Sequence, residues 1–286
     1  MDNVWVNNKR RERSCTIKKL ILKNWFNTIL FCLMSIVLCF GIYNITHVLL
    51  AYIHVEQRLA ETIGRIIASL GILIFYKTYF GIESFGLKRE NLLKGIGIGG
   101  FMLFATLNNL ASSLLEVEEY PAVSPSLYLI IIVIIEQIFV GVFEEFLVRG
   151  LMLNVLLEKI HNDRFKGKIT AVILSSLFFG AIHLLNLFST PQMLNATIAQ
   201  VFYATFIGVF LGALYLRTNN IWVVVFYHAI YDIVSELPII FHEIPIQEIV
   251  DISVSDAIIT AAFASIFVFV GLFLSRKWRD SGISKD

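Results

Sequence analysis

The run from Ile169 to Leu216, ITAVILSSLFFGAIHLLNLFSTPQMLNATIAQVFYATFIGVFLGALYL, contains no Asp, Glu, Lys or Arg. A helix needs ~20 apolar residues to cross the hydrocarbon core of a bilayer, so this run holds two spans. Ser189-Thr190-Pro191-Gln192 is the expected turn between them. The whole chain agrees with this reading. Of its 286 residues, 57% are hydrophobic and 16% charged, against roughly 45–50% and 25% in soluble domains. This excludes a soluble globular enzyme, a disordered chain and a secreted disulfide scaffold. Cys15, Cys32 and Cys39 form no CxxC pair, and the last two sit inside an apolar segment, where they read as core thiols.

Working outward, the fold class is all-α: a polytopic membrane protein of about eight transmembrane helices. Asn24 to Val55 is uncharged and gives the first span; it is too long for the apolar core of a signal peptide. The second, about Ala60–Phe80, is the weakest, with Glu61, Arg65 and Lys77 inside it. Gly95–Leu115, rich in Gly and Ala, is the third. The fourth runs from near Val123 past Glu136, Glu144 and Glu145 toward Glu158. The seventh follows Thr218-Asn219-Asn220 and ends near Pro238, and the eighth is Ala257–Ser275. No extended alternation of period two argues for a β-barrel.

Basic residues fix the expected orientation. They cluster before span one (Lys9, Arg10, Arg11, Arg13, Lys18, Lys19, Lys23), in alternate loops (Lys88, Arg89 and Lys94; Lys159, Arg164, Lys166 and Lys168; Arg217), and after span eight (Arg276, Lys277, Arg279, Lys285). Two of the opposite loops carry Glu116, Glu118 and Glu119, then Glu236, Glu243, Glu248, Asp251 and Asp256. The positive-inside rule then places both termini in the cytoplasm. The domain reading is a basic segment 1–23, one membrane domain 24–275 and a tail 276–286. The basic N-terminus is a topology signal; it has no aromatic-interleaved motif for nucleic acid, so the expected partners are the lipid bilayer and a peptide or membrane-protein substrate.

Ionisable groups inside a membrane are costly and point to function. Span four carries Glu136 beside Gln137, then Glu144, Glu145 and Arg149; span five carries His183; span seven carries His228 and Asp232. Glu145 and Arg149 are spaced i,i+4, acid first, the favourable ion-pair order, and His228 and Asp232 share a face in the same way. Glu144, His183 and Asp232 each lie about fifteen residues from a basic marker (Lys159, Lys168 and Arg217), or ~22 Å at 1.5 Å per residue. Three helices thus bring polar groups to one level.

Such a set can cleave a peptide bond with water, one carboxylate or imidazole taking the proton and others stabilising the oxyanion. No GxSxG or SxxK supplies a serine nucleophile, and HExxH is absent. A Glu/His/His/Asp set also has the donors for zinc with an open position. Two other classes compete: a non-proteolytic membrane scaffold or regulator of the same fold, and a proton-coupled transporter, which the lack of an inverted repeat disfavours.

The strings Glu144-Glu145-Phe-Leu-Val-Arg149-Gly150, Phe179-Gly180-Ala-Ile-His183-Leu-Leu-Asn186 and His228-Ala-Ile-Tyr-Asp232 resemble three ordered motifs of the CPBP family of CAAX proteases and bacteriocin-processing enzymes, also called the Abi family. Those motifs are EExxFRG, FGxxHxxN and HxxxN or HxxxD; Val148 stands where Phe is frequent. The motif-bearing core is 123–236. The resemblance implies an intramembrane endopeptidase with a site facing the cytosol and needing no cofactor. It implies that Glu144 and His183 activate water, Glu145 and Arg149 form a supporting pair, and His228 and Asp232 face the oxyanion. Zinc belongs to the alternative, metalloprotease reading of the family. Implied roles are CAAX-type processing, peptide maturation and self-immunity to bacteriocins, in the plasma membrane if the source is bacterial.

Overall fold

The computed structural model describes residues 18–79, 89–160, 165–244 and 251–276. Lys9, Arg10, Arg11, Arg13, Cys15, Lys88, Arg164, Glu248, Lys277, Arg279 and Lys285 lie outside the described residues, as does most of both terminal segments.

Among the described residues there is no strand, and Ala122 and His242 form an isolated bridge. The helices are α1 (Trp25–Tyr52), α2 (Gln57–Tyr79), α3 (Arg89–Ile98), α4 (Gly100–Val117), α5 (Leu127–Glu145), a π-helical segment (Phe146–Leu153), α6 (Asn154–Ile160), α7 (Phe165–Ile182), a 3-10 turn (His183–Phe188), α8 (Leu194–Thr218), α9 (Ile221–Ile240) and α10 (Val254–Ser275). Seven are long and apolar enough to cross a membrane, counting Leu127–Ile160 as one span; the bent pair α3–α4 makes an eighth. The chain is an integral, multi-pass membrane protein.

Starts and stops follow side-chain chemistry. Asn24, Ser126, Asn220 and Ser253 cap α1, α5, α9 and α10, each accepting an N–H of its helix's first turn. Asn219, left-handed at φ 48°, ends α8. Glu56 takes the N–H groups of Leu59 (2.9 Å) and Arg58 (3.1 Å) at the entry of α2. Those backbone bonds hold its carboxyl below the usual range.

The third span departs from the single helix expected over Gly95–Leu115. It bends by 61° between Ile98 and Gly100, at a glycine pair, a common site of kinks. A Cβ at Gly99 would strike the Tyr227 ring, and the Tyr227 hydroxyl donates to the Ile96 carbonyl. Close approach of α3 to α9 thus takes the place of a straight path.

Arg65 of the weak second span, and Arg58 just before it, are matched across helices. Arg58 bridges Glu136 (2.8 Å) on α5 and Glu236 (2.7 Å) on α9, while Arg65 pairs with Glu136 (3.1 Å) and Glu61 (3.5 Å). Glu136 is therefore the centre of an ion cluster, which is how buried charge is tolerated in lipid. The core lies where α8 packs between α7 and α10, with α9 against α5 and α4.

Candidate active site

The π-helical segment directly follows Glu144 and Glu145. Widened turns of this kind free backbone carbonyls and recur at functional sites. Asn154 answers the freed carbonyls: its side-chain amide donates to Arg149 O (3.0 Å) and Gly150 O (2.8 Å). The Asn154 amide also reaches the hydroxyl of Tyr215 on α8, at 3.1 Å.

Glu145 and Arg149 are both fully buried and paired at 2.7 Å. Arg149 also donates from Nη2 to the Gly208 carbonyl on α8 (3.2 Å) and lies over the Phe179 ring at 4.7 Å. The i,i+4 pair expected from sequence is present, although the backbone from Phe146 on is π-helical. Glu145 Oε1 has a second partner that spacing did not reveal: His228 Nδ1 on α9, at 2.7 Å. A carboxylate accepts there, so Nδ1 carries a proton, and Nε2 is the nitrogen left to face the cavity.

His228 Nε2 lies 3.4 Å from Glu144 Oε2 and 3.3 Å from Asp232 Oδ2. Glu144, Asp232, His228 and His183 all line one cavity of about 300 Å³. His183 begins the 3-10 turn rather than continuing α7. It meets the Phe179 ring edge-on at 5.2 Å, and that ring meets His228 at 5.8 Å. Among the described residues no ion pair joins Glu144 to His183, the two groups expected to act together; Glu144's partner is His228.

Gln137, noted in the sequence beside Glu136, and Glu236, read there as a loop charge, also line the cavity, as do Gln200, Tyr203, Tyr231 and Ser235, which were not singled out from the sequence. Gln200, Tyr203, Ala204, Ile207 and Leu211 form one face of α8. Two polar positions at that spacing in an otherwise apolar span were the available signal. The donor chemistry suits zinc, but its arrangement does not. Among the described residues no group of three or more His, Cys, Asp or Glu side chains is placed to hold a metal ion, and His228 Nδ1 is committed to Glu145.

Residues 126–234 match the family model described as Type II CAAX prenyl endopeptidase Rce1-like. No curated protein and no solved structure matches the chain. The matched segment holds Glu144, Glu145, Arg149, His183, His228 and Asp232, and it bears out the resemblance read from the three motifs. Over this segment the chain is similar to that family, which supports an intramembrane protease of the CPBP type.

Proposed function

We propose that this Rce1-like chain, with both termini in the cytoplasm, is an endopeptidase that hydrolyses a peptide or small membrane-associated protein with water activated inside the bilayer. The observation that carries this reading is the approach of Glu144 and Asp232 to His228 Nε2, within 3.4 Å, on the wall of a cavity large enough for a peptide backbone. Glu144, with His183 across the cavity, takes a proton from water as the oxygen attacks the scissile carbonyl. The oxyanion accepts a hydrogen bond from protonated His228 Nε2, whose ring is held by Glu145 through Nδ1. When the tetrahedral intermediate collapses, the C–N bond breaks and protonated Glu144 returns its proton to the leaving amine. Arg149 pairs with Glu145 out of water and fixes its carboxylate behind the ring. Maturation of a peptide, or removal of one that threatens the cell, is the role that suits such a site.

Reconstitution in proteoliposomes with a peptide library tests this. Glu144→Gln and His183→Ala should each abolish cleavage while the protein still inserts. Because the two act as a unit, the double variant should be little worse than either single one. Substantial cleavage by either single variant rejects the water-activating pair. Proton-coupled flux without cleavage would make the chain a transporter, and neither activity would make it a scaffold.

A further inference from the structure

The π-helical segment Phe146–Leu153 is fastened at both ends. At its start the buried Phe146 ring meets Trp222 of α9 edge-on, at 5.6 Å. Its end falls at Asn154, where α6 begins. The backbone N–H of Asn154 goes to the Leu151 carbonyl, three residues back. It therefore does not serve the Gly150 carbonyl, as it would in an α-helix, where each N–H bonds four residues back. The side-chain amide does so instead, at 2.8 Å, and takes the Arg149 carbonyl at 3.0 Å. Arg149 and Gly150 are both buried, and a buried carbonyl left unmatched is costly. Asn is a poor helix former because its side chain competes for backbone groups; at position 154 that competition closes the π segment.

The same amide meets two other helices. The Tyr215 hydroxyl on α8 lies 3.1 Å away and the Tyr76 hydroxyl on α2 lies 3.4 Å away, and both rings are buried. An amide has two protons to give, and the nearer carbonyls take them. Arg149 makes the next link. Asn154 holds its carbonyl, while its guanidinium donates to Glu145 Oε1 at 2.7 Å and to the Gly208 carbonyl of α8 at 3.2 Å. Glu145 Oε1 in turn lies 2.7 Å from His228 Nδ1. Asn154 is not on the wall of the Glu144 cavity, so it bears on the chemistry only through this chain of contacts.

We propose that Asn154 is a positioning residue for hydrolysis, a role that rests on the proteolytic reading of the site: it ends the π segment where Arg149 can hold Glu145 against His228. Without the amide, two buried carbonyls lose their donor, and the backbone relaxes toward the α-helical pattern in which the Asn154 N–H reaches Gly150. The turn that carries Arg149 is then wound differently, and the guanidinium moves relative to Glu145 and Gly208. Misplacing a reacting group by about 1 Å from a distance can cost ~100-fold in rate.

Asn154→Leu keeps the volume and removes the amide. In proteoliposomes its kcat per folded molecule should fall by about 100-fold with KM within about twofold, since the cavity wall is untouched. Should Asn154→Leu not fold, Asn154→Ala takes its place with the same expectation. Tyr215→Phe leaves the amide on both carbonyls and should keep kcat within about threefold. A kcat within about threefold of wild type in the folded Asn154 variant, or an equal loss in Tyr215→Phe, overturns the inference. A second readout needs no proteolysis. The chain has six histidines, and nitrogen-15 labelling of their rings in micelles gives the His228 Nδ1 signal, assigned by its loss in His228→Gln. The Asn154 variant should displace that signal in the same direction as Glu145→Gln. An unmoved signal overturns the inference whether or not the chain cleaves peptides. A displaced signal in a chain that never cleaves upholds the positioning of His228 and rejects the proteolytic reading alone.

Discussion

Removing the Arg149 side chain is the most searching test of how the site is held. Arg149 and Glu145 are both fully buried, at 2.7 Å. Taking away one partner of a buried pair typically costs ~3–5 kcal/mol, because the remaining charge is left in a poor solvent. The Gly208 carbonyl also loses its donor, a loss of ~1–3 kcal/mol when a buried acceptor is left unmatched. These terms share atoms and do not add. The expectation for Arg149→Ala is therefore about 3–5 kcal/mol, or two to three and a half orders of magnitude in the folded-to-unfolded ratio. Unfolding in mixed micelles against rising SDS measures it. Glu145→Gln/Arg149→Met is the companion variant: it removes both charges at similar volume and keeps an acceptor for His228. Such replacements of a whole pair are often nearly neutral, so stability should return to within ~1–2 kcal/mol of wild type. Cleavage should not return, because a neutral amide in place of the carboxylate holds the His228 Nδ1–H more weakly. An Arg149→Ala protein as stable as wild type, or a double variant no better than it, would refute the view of Arg149 as a brace.

Three further outcomes are expected. Asp232→Asn should keep cleavage and resist chelators, since an amide can occupy the position 3.3 Å from His228 Nε2; a dead variant beside a wild type that chelator silences and zinc restores would make Asp232 a metal ligand. Gly180→Ala should cost ~1–3 kcal/mol by overpacking, because a Cβ there comes within 2.5 Å of the Val201 carbonyl oxygen and strikes Thr205. It should also lose cleavage by displacing the end of α7 that leads into His183, and wild-type melting with wild-type kcat/KM counts against it. Asp251 gives the pH dependence. Desolvation pushes its carboxyl up, but the N–H groups of Asn195 and Ala196 outweigh this and hold it below the usual range. Its contribution to stability is therefore full above the ordinary carboxylate pKa of ~3.9 and is lost as pH falls through the lower folded value. Thermal melting between neutral pH and pH 3 should show less acid loss in Asp251→Asn than in wild type, and equal slopes would sink the assignment.

The spans were legible because lipid imposes a simple demand: a helix that crosses it must be long and apolar. Ile169–Leu216 resolves into α7 and α8, with the break where Ser189-Thr190-Pro191-Gln192 lies. The bend at Gly99 was not legible, since it depends on where Tyr227, far along the chain, places its ring. Spacing along one helix revealed the Glu145–Arg149 and His228–Asp232 pairs. It could not reveal Glu145–His228 or Arg58–Glu136–Glu236, which join different helices. For the same reason Glu144 and His183, alike in depth, were expected as partners, while the structure turns Glu144 toward His228. Depth fixes the level of a side chain, and only packing fixes its azimuth.

The two groups of intramembrane charge differ in a way that bears on catalysis. In the outer cluster, Arg58 and Arg65 bridge Glu61, Glu136 and Glu236, and each carboxylate touches a guanidinium. That arrangement joins α2, α5 and α9 and has no proton to spend. In the inner group, the carboxylate that Arg149 pairs with is Glu145. Glu144 and Asp232 form no ion pair with an arginine among the described residues and share one imidazole nitrogen, at 3.4 and 3.3 Å. Fixed cations lock charges in place, whereas carboxyls grouped around a histidine can pass a proton without breaking a guanidinium pair. The buried Glu145–Arg149 pair then serves the second kind of group by fixing the ring from behind, through Nδ1. A fixed pair behind the ring and two carboxyls facing the cavity is the arrangement that suits the proposed hydrolysis by activated water.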